Sequence, residues 1–124
     1  MTRGVLFMTV LLAMAAPVIG SAASKPDVPA TPAEFKAGET KFKAHCQVCH
    51  GERGMGTQQG PPFVHKIYEP NHHGDAAFQR AAALGVRAHH WQFGNMPKIS
   101  SVTPADVDEI IKYVRWLQRQ AGIY

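Results

Sequence analysis

The chain has 124 residues, 45% of them hydrophobic and 18% charged, with a formal net charge of +4, which bounds it to one domain with a modest core. Its 13 Lys and Arg are scattered along the chain, and this excludes the basic face or stripe that nucleic acid requires. A mild preference for acidic partner surfaces is all that the charge implies.

In chain order, the first segment reads as a targeting signal. Arg3 supplies a positive start, Val5 to Ile19 is apolar apart from Thr9 and Pro17, and Gly20-Ser21-Ala22-Ala23 offers small residues for a signal peptidase. The run is shorter than the roughly 20 residues of a bilayer span. Residues 1–23 are therefore expected to be a cleaved secretory signal, with an uncleaved membrane anchor as the alternative. Removal takes Arg3 away and leaves 101 residues at a formal +3. Residues 24–31, with Pro26 and Pro29, read as a flexible leader, and residues 32–124 as the folded domain.

Thr31-Pro32-Ala33-Glu34 places a capping hydroxyl, a proline and an acid at the start of a helix. Phe35, Gly38 and Phe42 share one face of it, and it is expected to run to near Ala44. Cys46 to Glu69, rich in Gly and Pro, is a long loop, and such a loop in a small domain is usually functional. Asp75 is expected to cap a second helix through Phe78 and Ala82, with Gly85 weakening its end. His89 to Ser101 is irregular. Thr103-Pro104-Ala105-Asp106 repeats the capping device, and Val107, Ile110, Ile111, Val114 and Leu117 form an apolar stripe. Lys112, Arg115 and Arg119 fall towards the negative end of this last helix. No alternating run reads as a strand, so the expected class is all-α.

Cys46-Gln47-Val48-Cys49-His50 carries the chemistry. Two thiols three positions apart followed at once by a histidine is the pattern of covalent haem attachment. The thiols can add to the two vinyl groups of one haem, and the imidazole of His50 is then an axial iron ligand. A zinc site would need a second pair of ligands, a redox dithiol a βαβ setting, and a plain disulfide would leave the histidine unexplained. The sixth iron ligand is expected from Met96, in Phe93-Gly94-Asn95-Met96-Pro97, because a thioether is a soft ligand that favours reduced iron. Met55 is a rival methionine and His89 and His90 are rival ligands of another kind; His45 and His65 read as surface residues.

With these motifs in place, the mature chain resembles a class I c-type cytochrome, the small soluble monohaem family, over Gly38 to Leu117. Gly38 and Phe42 match that family's first helix, and Ile111, Tyr113 and Leu117 match its last. Gly60-Pro61-Pro62-Phe63 matches its Gly-Pro loop. The resemblance implies crossing N- and C-terminal helices, loops wrapped around one covalent haem c, and a Pro61 or Pro62 carbonyl accepting from the His50 ring. It also implies an electron carrier of the bacterial periplasm, not an enzyme, without stable membrane insertion after signal cleavage. Its partners would be transient redox proteins, a dehydrogenase, reductase or oxidase.

One region departs from the family. Asn71-His72-His73-Gly74-Asp75 and Ala88-His89-His90-Trp91 hold four histidines. They admit a copper or zinc site for metal handling or sensing, or an acid–base role in a small haem enzyme with a displaceable distal ligand. They equally admit four solvated side chains packed around propionates. An unbroken helix from Asp75 to Ala88 would separate the pairs by about 21 Å, whereas a helix ended at Gly85 would let them meet.

Overall fold

The computed structural model describes Met1 and residues 29–124. The signal expected over 1–23 and most of the leader expected over 24–31 lie outside the described residues. Among those described, no strand forms, and the ordered elements are four α-helices and three short 3-10 turns. They are α1 (Lys36–His45), α2 (Gln47–His50), α3 (Asp75–Leu84) and α4 (Pro104–Gln120). The 3-10 turns span Ala33–Phe35, Glu52–Gly54 and Lys66–Tyr68.

The last helix starts as its sequence dictates. The Thr103 side chain accepts from the Asp106 N–H, and the Asp106 carboxylate accepts from the Thr103 N–H at 2.9 Å, with Pro104 in the first turn. The opening helix starts differently. Thr31 is buried and makes no capping bond, and the chain turns in through Ala33–Phe35 instead, closed by Phe35 N–H to the Pro32 carbonyl at 3.0 Å. At α3 the cap is Gly74, and Asp75 is the first helical residue. Its carboxylate accepts from Arg115 across the fold.

Helices α1 and α4 cross at Gly38. A Cβ there would lie 2.1 Å from the Glu109 carbonyl oxygen and 2.8 Å from Tyr113 Cβ. Only hydrogen fits, and that close approach builds the core. Phe42, Tyr113 and Val114 are fully buried, with Ile110, Trp116 and Leu117 around them. The Phe42 and Tyr113 rings sit 5.6 Å apart, and Phe35 stacks on Trp116 at 5.8 Å. Each such side chain contributes about 1.5–3 kcal/mol through burial. Nearly all of the buried apolar residues belong to α4, and α3 buries none. Its Ala77, Phe78, Ala81 and Ala82 line a cavity.

Candidate functional site

The cavity has a volume of about 600 Å³ and lies between α2, α3, α4 and the segment 85–99. Its size is within the range of small-molecule and cofactor sites. Cys46, Cys49 and His50 line one wall, Met96 another, and Phe63, Phe78 and Ile110 give it an apolar interior. The four residues singled out by the sequence therefore border one space.

Local structure explains the placement. The Cys46 N–H bonds the Phe42 carbonyl at 2.9 Å, so the cysteine turn continues directly from α1. One helical turn, α2, then carries Cys49 and His50, and Gly51 ends it at φ +78°. The Thr57 hydroxyl donates to the Cys49 carbonyl at 2.5 Å and pins the turn from outside. The two cysteines are not joined to each other. Burial, and secondarily the neighbouring Cys49, pushes the Cys46 thiol up to about 11, so it stays neutral.

His50 is 7% exposed. Burial lowers its pKa, against the opposing bond to Pro61, so the ring is neutral at pH 7. Its Nδ1 lies 3.0 Å from the Pro61 carbonyl, which can only accept. Nδ1 therefore carries the proton and Nε2 the lone pair, the tautomer a metal needs. Of the two prolines that the Gly-Pro loop offered, the bond goes to Pro61. The His50 ring also stacks on Phe63 at 4.0 Å, which fixes its plane.

Met96 is half-buried and is held by its backbone. Val86 and Met96 exchange both N–H···O bonds at 2.9 Å, an isolated antiparallel bridge just after Gly85. Gly85 adopts φ +79°, ends α3, and would place any Cβ 2.5 Å from the Met96 carbonyl oxygen. This glycine is thus what admits the methionine segment to the cavity wall. Met55, the rival methionine, is exposed and does not border the cavity.

The same end of α3 decides the arrangement of the histidines. The chain folds back after Gly85, and the two pairs meet: His72 Nε2 and His90 Nε2 are 3.1 Å apart. The ring centroids of His73 and His90 are 5.1 Å apart, and those of His73 and His89 5.8 Å. The pKa of His90 is lowered, first by partial desolvation and then by the facing His89, His73 and His72. His45 and His65 are half-buried, short of the exposure expected of surface residues. His45 bonds the Ser101 hydroxyl at 3.0 Å, while His65 caps the Lys66–Tyr68 turn and packs its ring on Trp91.

Arg115 is the residue whose role the sequence did not disclose. Its position suggested only a partner for the negative end of the α4 dipole, and the structure buries it. It donates to Asp75 at 2.8 Å, to the Tyr68 carbonyl and Gln118 at 2.7 Å each, and to the His73 carbonyl at 2.5 Å. One guanidinium thereby ties the segment before α3 to the last helix. Its partners are 40 or more residues away except Gln118, so no local pattern marks it.

The donor set suits haem c. Two unpaired thiols on one turn, a neutral imidazole with a free Nε2 and a thioether on a separate segment share an apolar cavity of cofactor size. The family model described as Cytochrome c matches residues 35–118. No curated protein sequence matches the chain. Among solved structures, the chain is similar to the c-type cytochrome XoxG from Methylobacterium extorquens AM1, with 22% identity and a TM-score of 0.55. The match covers 73% of this chain and 53% of that one, so this chain spans about half the length of that cytochrome. At such identity the likeness concerns the fold.

Proposed function

The chain belongs to the cytochrome c family, whose members carry haem in electron transfer, and on that premise we propose a periplasmic single-electron carrier with His/Met axial ligation. Cys46 and Cys49 would tether the haem, and His50 through Nε2 and Met96 through its sulfur would hold its iron. The observation that carries this reading is that all four residues border one cavity.

Bound haem supplies an iron that takes up and releases one electron at a potential that depends on its ligands and surroundings. The protein's residues set those conditions. Pro61 holds the proton on Nδ1 of His50 and Phe63 holds the ring plane. Phe63, Phe78 and Ile110 keep water from the cavity interior. The Val86–Met96 bridge keeps the thioether segment against the wall. With His50 and Met96 both on the iron, no position would be open to a substrate, which favours a carrier over an enzyme.

Transient redox partners follow from the same chemistry. Val48, between the two cysteines, is 74% exposed, and Phe93 on the methionine segment is also exposed. They offer an apolar lip for an encounter of the small size that electron transfer uses. Export follows from the leading segment, with residues 1–23 as the signal, 24–31 as the leader and 32–124 as the domain. Among the described residues, no helix is long and apolar enough to cross a membrane.

The test is carbon monoxide with the ferrous protein. The wild type is expected to show no spectral change, and Met96→Ala to keep its haem, bind carbon monoxide rapidly and titrate at a lower potential. Equal carbon monoxide reactivity in the two proteins would remove Met96 from the iron.

A further inference from the structure

Four neighbouring histidines, His72, His73, His89 and His90, are not used by the electron-carrier reading. Among the described residues, His72, His73 and His90 bring one ring nitrogen each within 4.8 Å of one another. We propose that these three imidazoles bind one divalent transition-metal ion of the copper–zinc class, at the rim of the cavity.

The spacing of the closest pair fits an ion. The His72 and His90 Nε2 atoms are 3.1 Å apart. Two nitrogens bound at about 2.0–2.1 Å from a tetrahedral centre stand about 3.3 Å apart. At adjacent corners of a square plane the separation is about 2.9 Å, and the observed distance falls between the two.

The third ligand is oriented for the purpose. His73 Nδ1 donates to the Ile67 carbonyl at 2.6 Å, leaving Nε2 with the lone pair. Such a bond to the far nitrogen is the usual way a protein aims a ligating imidazole. The backbone beneath is also held: the His72 and His73 N–H groups both bond the Glu69 carbonyl, and Arg115 holds the His73 carbonyl. On the opposite side, the Val86–Met96 bridge and the Ala88 N–H bond to Asn95 at 3.0 Å steady the loop that carries His90. His89 donates from Nδ1 to the Arg87 carbonyl at 2.8 Å, so its Nε2 is also free beside the group.

The donor chemistry narrows the ion. Three imidazoles form a nitrogen set, which suits copper and zinc, whereas calcium and magnesium take oxygen ligands. Glu69 and Lys66 border the outer hollow shared with His72 and His90 and balance each other in charge. His72 and His90 are exposed and His73 half-buried, so an ion reaches the site from solvent. The site shares no residue with the four assigned to the haem, and its failure would leave that assignment standing.

The experiment uses the full haem-loaded protein, stripped of adventitious metal and titrated with Cu²⁺ and, separately, Zn²⁺ by equilibrium dialysis. One ion per chain is expected, with Zn²⁺ competing for the Cu²⁺ site and the Cu²⁺ resonance showing nitrogen ligands. His73→Ala and His90→Ala should each weaken binding by roughly 100-fold, at or beyond the 10–100-fold cost of losing an orienting partner, while the haem spectrum stays as in the wild type. Bound ion should also raise the haem potential in the wild type and not in the variants, since a cation is the largest local charge. Absence of stoichiometric binding would overturn the proposal, as would binding undiminished in both variants. An altered axial-ligand spectrum in His90→Ala would overturn it too, because that imidazole would then belong to the iron.

Discussion

Replacing Gly38 with alanine tests the helix crossing on which the cavity wall depends. The added Cβ would lie 2.1 Å from the Glu109 carbonyl oxygen, and reaching the 3.0 Å below which such contacts essentially never occur takes a shift of 0.9 Å. The obstacle is backbone, with no flexible end to swing aside, so α1 and α4 must part. Parting loosens the Phe42–Tyr113 and Phe35–Trp116 ring pairs and displaces Val107 and Ile110, which line the cavity. Overpacking costs about 1–3 kcal/mol, and alanine's better helix propensity returns about 1 kcal/mol. A clash against backbone belongs at the upper end of that range, which leaves a net loss of about 2 kcal/mol. For a domain of this size the melting temperature should fall by about 8–16 °C. The assay is thermal unfolding of the haem-loaded variant beside the wild type, followed by circular dichroism. A melting temperature equal to or above the wild type's would refute the reasoning, since helix propensity alone would then have decided the outcome.

Acid should expose the ion pairs of Glu39. Its hydrogen bonds to Lys36 and then Lys43, both at 2.8 Å, hold its pKa at about 2 against an ordinary 4.5. A depressed carboxyl contributes stability above its ordinary value and loses it as pH falls through the folded one. The stability gap between the wild type and Glu39→Gln should thus be about 1 kcal/mol near neutrality and close between pH 4.5 and 2. A gap independent of pH in melting curves would contradict it. Arg115→Lys cannot span Asp75, Tyr68, Gln118 and His73 at once. Stranding those acceptors should cost about 2–4 kcal/mol in denaturant unfolding, and a change within error would show the network to be dispensable. Cys49→Ser, made where haem-attachment machinery operates, should yield little stable haem protein, and wild-type yield of covalent pigment would exclude the tether.

The two ends of the domain differ in how openly the sequence declared them. The last helix announced itself because its cap, proline, acid and apolar stripe all lie within one stretch and need no distant partner. The close crossing at Gly38 was legible only through family resemblance, since nothing local says which backbone approaches a glycine. Thr31 misled for a related reason: its hydroxyl had the right spacing for a cap, but its side chain is drawn into the interior. Asp75 misled by one position: the cap is Gly74, and the carboxylate reaches Arg115 on another helix instead. In the cavity, Cys46, Cys49, His50 and Met96 could be named as candidates from residue type and spacing. Whether the histidine pairs met could be posed only as a condition on Gly85. Its positive φ answered the condition, and that angle is a property of the fold.

The crossing of α1 with α4 also carries a consequence for the order of assembly. It joins distant stretches of chain: Lys41 pairs with Asp106, 65 residues later. Contacts of that range must wait for loop closure. In a polypeptide made N-terminus first, Cys46 and Cys49 emerge well before the final helix that completes the cavity they line. During that interval a modifying enzyme meets the cysteine turn before the cavity around it is complete.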